Sequence, residues 1–153
     1  MADLPVAHRD ALAMVAGVLR AAAEPWWIIA GTAVALHARV PVAVDDIDVL
    51  IGMEDIRLLD AIPGIRVRAR DNHLRFRSRF YAASTAGGVA IEYMGGFELC
   101  HAGHWEPVAP RSRVLLDIGG GLSIPVPDRA ELAAMLARFG RAKDLARIAL
   151  LSG

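Results

Sequence analysis

The chain has 153 residues and a mass of 16.4 kDa, with 17 basic and 17 acidic residues and no formal net charge. That length predicts one domain over residues 1–153, large enough to bury a core without disulfides, and the single cysteine, Cys100, excludes a disulfide framework and fits a reducing compartment. Balanced charge gives no bulk signal for nucleic acid, while short apolar runs and the lack of a basic-then-apolar leader predict a cytoplasmic chain with no membrane span; the mean hydropathy of +0.38 suggests the extra buried face of a homodimer.

Residues 7–23 place Leu12, Val15 and Leu19 on one apolar stripe and predict a helix. Residues 26–29 then predict a short buried strand, Ala30-Gly31-Thr32 a tight turn, and residues 33–39 a helix entered from it. Backbone N–H groups at such a turn present an anion site, and a glycine lets phosphate oxygens approach the main chain. A plain strand-to-helix turn explains the same three residues.

The stretch Asp46-Ile47-Asp48, followed by Val49, Leu50 and Ile51, predicts a mostly buried strand carrying two acids. Residues i and i+2 of a strand share a face about 6.6 Å apart, so Asp46 and Asp48 converge on one spot while Asp45 turns to the opposite face as a surface charge. Two like charges that close favour either a divalent cation or a bound proton. Glu92 lies in a second apolar run, Val89-Ala90-Ile91-Glu92-Tyr93, where an unpaired carboxylate would cost several kcal/mol. A metal shared with Asp46 and Asp48, or a salt bridge to an arginine, would compensate it.

Between these strands, residues 54–61 predict a short helix stopped by Pro63-Gly64. Residues 65–70 and 74–80 alternate apolar residues with arginine or serine around Asp71-Asn72 and predict a hairpin. Its strands would align Arg66, Arg68 and Arg70 beside Arg75, Arg77 and Arg79, a stripe able to contact phosphates of a nucleotide or RNA or to form a solvated outer face. Cys100-His101-Ala102-Gly103-His104 has metal-like spacing but lacks a fourth ligand. Residues 113–118 and 122–126 predict a second hairpin around Gly119-Gly120-Gly121, and a helix follows from a capping-box-like start at Asp128 to Phe139. Gly140 breaks it, and residues 141–151 form the last helix.

Several of these segments together carry a family resemblance. Ala30-Gly31-Thr32-Ala33-Val34-Ala35-Leu36-His37, the acidic strand Asp46 to Ile51, the strand bearing Glu92, and Gly140-Arg141-Ala142-Lys143-Asp144-Leu145 follow one another as in the nucleotidyltransferase fold shared with DNA polymerase beta. The chain most resembles the small AbiEii-like and minimal bacterial nucleotidyltransferases. That resemblance implies an α+β fold: a mixed β-sheet with helices packed on one face and C-terminal helices. It further implies that Asp46 and Asp48 hold one or two Mg²⁺ ions, that Glu92 helps bind metal and deprotonates an acceptor hydroxyl, and that a nucleoside triphosphate is the co-substrate. Gly31, Thr32, Arg39, Arg141 and Lys143 are the implied nucleotide or acceptor contacts. The acceptor would be a tRNA end, a protein hydroxyl or a small molecule such as an aminoglycoside, and an antitoxin is an implied partner.

The departures support a second reading. Ala30 stands where the family has its first glycine, Val42 and Val44 replace a polar R-x-T pair, and Leu136 replaces a phosphate-contacting lysine. A catalytically degenerate protein of this fold, binding a nucleotide or a partner without turnover, fits those changes. An RNA-binding module built on the arginine hairpin is the third reading.

Overall fold

A computed structural model describes residues 4–69 and 73–152. Its frame is set by two strands that share buried side chains. β2 (Asp46–Ile51) runs parallel to β6 (Val89–Gly95), with Ile47 beside Ile91 and Val49 beside Tyr93, and all four side chains are fully buried. The intervening positions face the other way, which leaves Asp48 directly beside Glu92. β1 (Trp27–Ile29) and β5 (Phe80–Ala86) flank this pair antiparallel, and β3 (Arg66–Val67) closes the far edge. The resulting five-stranded sheet has the order β1-β2-β6-β5-β3 and is mixed, as expected.

α1 (Val6–Val18) packs against β5 and β6 through its buried Ala11, Leu12 and Val15. A 3₁₀ turn over Leu19–Ala21 continues it, and the loop beyond is pinned by the buried Asp55, whose carboxylate accepts the N–H groups of Ala23 and Glu24. The helix expected over residues 54–61 is a 3₁₀ segment, Met53–Ala61. α2 (Ala30–His37) packs against β1 and β2, and also against α3 (Arg129–Phe139) and α4 (Ala142–Leu151). Asp128 caps α3 by accepting the Glu131 N–H at 2.8 Å, and Gly140 ends it in the left-handed region at φ 68°. The Arg129 guanidinium ties three helices together by donating to the last carbonyls of α2 (His37) and α4 (Leu151).

The hairpin expected from residues 65–80 does not form. β3 pairs with β5 in the main sheet, whereas β4 (Phe76–Arg77) pairs with β7 (Glu98–His101), itself joined to β8 (His104–Pro107) in a second sheet of order β4-β7-β8. Phe76 stacks on Phe97 and meets Phe139 edge to face, so burying that ring draws the strand away from its sequence neighbour. The arginine stripe is split accordingly. Arg66 and Arg68 are exposed at the main-sheet edge, the Arg75 guanidinium donates to the Phe139 carbonyl, and Arg77 pairs with Glu98 while lying over Trp105. Arg70, Asp71 and Asn72 lie outside the described residues.

The second hairpin forms as expected. β9 (Val114–Asp117) and β10 (Ser123–Val126) pair across Gly119-Gly120-Gly121, three consecutive residues at positive φ that a turn with this backbone path requires. Among the described residues no helix is long and apolar enough to cross a membrane.

Candidate active site

The parallel register of β2 and β6 decides the site. Asp46 pairs with Ala90 and Asp48 with Glu92, so the two strands deliver their acids to the same face of the sheet. One carboxylate oxygen from each of Asp46, Asp48 and Glu92 lies within 4.8 Å of the others. Asp45 is exposed, as the parity of the strand requires. The three acids are half-buried and line a cavity of about 420 Å³.

The electrostatics of the cluster favour a cation. Burial, and then the neighbouring charges of Asp46 and Glu92, push the Asp48 carboxyl well above its ordinary value, and a positive charge beside it would bring it back down. Arg147 pulls in the opposite direction. Burial also pushes the Tyr81 phenol up, and its hydrogen bond to Glu92 adds to the shift. Tyr81 comes from β5, next to β6, and so holds the third carboxylate from the side away from Asp48.

Across the cavity the charge reverses. Arg68, Arg77, Arg141, Lys143 and Arg147 line it, together with His73 and an apolar wall of Phe76, Phe97, Phe139 and Met94. Arg141 precedes α4 and connects the two kinds of surface: its guanidinium stacks over Phe76 at 4.9 Å and pairs with the fully buried Asp144. Arg141 and Lys143, expected as phosphate or acceptor contacts, line the same cavity as the three acids. Arg39 does not line this cavity.

The turn before α2 is built for more than one purpose. Thr32 is buried, and its hydroxyl donates to the Asp46 carbonyl at 2.7 Å, which fixes the start of the acidic strand against the helix. Ala30 lines the cavity and adopts φ 56°, a left-handed conformation that glycine enters freely and alanine does not. Gly31 faces the Arg147 guanidinium so closely that a Cβ there would sit 2.8 Å from Nη2. His37 packs nearby through a 2.7 Å contact between Nε2 and the Pro127 carbonyl.

Two site residues, Tyr81 and Arg147, escaped the sequence reading. Tyr81 belongs to a strand that was not expected beyond Phe80, whereas Arg68, which also lines the cavity, belongs to the arginine stripe read as able to contact nucleotide or RNA phosphates. Arg147 carried a usable signal: it lies one helical turn after Asp144 in the segment that follows Gly140, on the same face of α4.

The fold is similar to that of several solved structures. A Thermotoga maritima protein assigned as a nucleotidyltransferase superposes with a TM-score of 0.68 at 22% identity, over 85% of this chain and 83% of its own. The chain has a nucleotidyltransferase fold. An antigenic nucleotidyltransferase-like protein from Paracoccidioides brasiliensis shares that fold at a TM-score of 0.60 and 16% identity, covering 95% of this chain and 74% of its own. The antibiotic-resistance factor ANT(2'')-Ia, in its complex with adenylyl-2''-tobramycin, shares it at 0.54 and 19% identity, over 93% of this chain and 87% of its own. No protein-family model and no curated protein sequence matches the chain. The acids lie on the inner strands β2 and β6, while the turn into α2 leaves the edge strand β1 beside them.

Proposed function

We propose that this protein is a metal-dependent nucleotidyltransferase that moves a nucleoside monophosphate from a nucleoside triphosphate to an acceptor hydroxyl. The observation that carries the reading is the juxtaposition in one cavity of three converging carboxylates and five basic side chains. Three hard oxygen donors suit Mg²⁺, and the upward push on Asp48 shows that the cluster is under-compensated by protein alone. The donor set therefore fits the ion.

Asp46, Asp48 and Glu92 would hold the metal, which when bound supplies neutralisation of charge on the triphosphate. The rest of the work falls to the chain. Asp46 and Asp48 would serve as ligands from one strand, and Glu92, held by Tyr81, accepts the acceptor's proton when its oxygen attacks the α-phosphorus and pyrophosphate leaves. Arg141 and Lys143, on the cavity's basic side, steer and hold the phosphates, and the Phe76, Phe97 and Phe139 wall excludes water from part of the cavity. Backbone N–H groups at Gly31 and Thr32 add donors at the start of α2.

The motif matches at residues 30–37, 46–51 and 140–145 favour an AbiEii-like enzyme in a toxin–antitoxin setting, with a tRNA end, a protein hydroxyl or a small molecule as acceptor. A specific observation favours the degenerate alternative: Leu136, at the position of the family lysine, is fully buried and supplies no charge to the site. The experiment that separates the two readings is pyrophosphate release from each of the four nucleoside triphosphates with Mg²⁺ and a cell lysate as acceptor source. Metal-dependent release that disappears in Asp48→Asn supports the enzyme; triphosphate binding with no release and no label transfer supports the relic.

A further inference from the structure

Asp144 is the one fully buried carboxylate among the described residues, and its compensation is nearly complete without Arg147. Arg141 donates to Asp144 Oδ2 from Nε at 2.6 Å and from its backbone N–H at 3.2 Å, and to Oδ1 from Nη2 at 3.1 Å. Arg147 Nη1 stands 3.9 Å from Oδ1, beyond hydrogen-bond length. Its guanidinium has five N–H donors, its side chain is only 21% exposed, and no protein acceptor lies within hydrogen-bond reach among the described residues. Donors left without a protein hydrogen-bond acceptor at a cavity wall are placed to take a ligand's acceptors.

Its position says which ligand. Arg147 lines the same cavity as the carboxylate triad and lies against Gly31, where a Cβ would come 2.8 Å from Nη2 and 3.0 Å from Cζ. The glycine at this turn therefore makes room for an arginine delivered from α4. Leu136, where the resemblance places a phosphate-contacting lysine, is buried and cannot serve.

Resting on the nucleotidyltransferase reading, we propose that Arg147, set by Asp144 and admitted by Gly31, is the anion subsite that grips the triphosphate of the bound nucleotide in place of the missing lysine. A guanidinium offers two parallel donors to a phosphate, a geometry that an ammonium cannot reproduce. The subsite should therefore distinguish triphosphates from monophosphates and arginine from lysine.

The test is calorimetric binding of non-hydrolysable analogues of the four nucleoside triphosphates, and of the four nucleoside monophosphates, with Mg²⁺ present, to wild type, Arg147→Gln, Arg147→Lys and Gly31→Ala. The expected result is at least a tenfold weakening of the triphosphate analogue in Arg147→Gln, a smaller effect on the monophosphate, and partial recovery in Arg147→Lys. Gly31→Ala, which displaces the guanidinium while keeping its charge, should also weaken the triphosphate. A folded Arg147→Gln or Arg147→Lys protein whose triphosphate affinity stays within twofold of a binding-competent wild type overturns the assignment and leaves the enzyme reading standing. A wild type that binds no triphosphate overturns both.

Discussion

Replacing Asp48 with asparagine should stabilise the metal-free protein. One oxygen from each of the three carboxylates lies within 4.8 Å of the others, and two unit charges at that distance repel by at least about 3.5 kcal/mol at an effective dielectric near 20. The upward shift of the Asp48 carboxyl already relieves part of this, and solvent reaching the half-buried groups screens more. A net gain of about 1–3 kcal/mol remains, because an asparagine amide donates to Glu92 without carrying charge. For a chain of this size that corresponds to a rise in Tm of about 2–12 °C in EDTA. Mg²⁺ with a nucleoside triphosphate should reverse the order, since a ligand that binds only the native state raises wild-type Tm and not that of the variant. The assay is thermal unfolding by circular dichroism with and without metal and nucleotide. An Asp48→Asn protein that melts below wild type in EDTA would show that the Asp48 carboxylate has a stabilising partner, and the repulsion argument would fail.

Other outcomes follow from particular contacts. Ala30→Gly should leave stability unchanged or raise it by up to about 1 kcal/mol in urea unfolding, because φ 56° suits glycine; a loss of the size usual for glycine inside a helix would contradict this. Asp55→Ala removes the acceptor of two N–H groups, at Ala23 and Glu24, and should cost about 2–4 kcal/mol by denaturant unfolding. Burial tends to raise the Glu131 carboxyl, but hydrogen bonds from the Ser112 hydroxyl and the N–H groups of Arg111 and Ser112 outweigh it and hold it below its ordinary value. Such a group stabilises above the unfolded chain's carboxylate range and loses its contribution as pH falls through the folded value. Glu131→Gln should therefore be less stable than wild type at neutral pH, with the difference narrowing in acid titration.

The triad was legible because it obeys two local rules. Strand parity put Asp46 and Asp48 on one face, and the cost of burying Glu92 alone required company; the parallel pairing of β2 with β6 satisfies both. The strand, turn and helix near Gly31 were readable in kind, although α2 spans Ala30–His37 rather than residues 33–39. Pairing partners were not legible. Alternating arginines predict strand, but nothing local says that Arg66 joins β5 while Phe76 leaves to stack on Phe97. The β7–β8 hairpin was also missed, since His101 and His104 drew a metal reading. The stronger signal there was the two-residue Ala102-Gly103 turn, at φ 51° and 80°, between alternating segments. Arg147 was readable only as a helix-face neighbour of Asp144; its contact with Gly31, more than a hundred residues away in the chain, was not.

The most direct measurement is anomalous diffraction from crystals grown with Mn²⁺ and a non-hydrolysable nucleoside triphosphate. One or two anomalous peaks coordinated by Asp46, Asp48 and Glu92, with the phosphates bridging from the metal to Arg147, are the predicted result. Nucleotide bound elsewhere, or a triad that stays metal-free at saturating Mn²⁺, would contradict it.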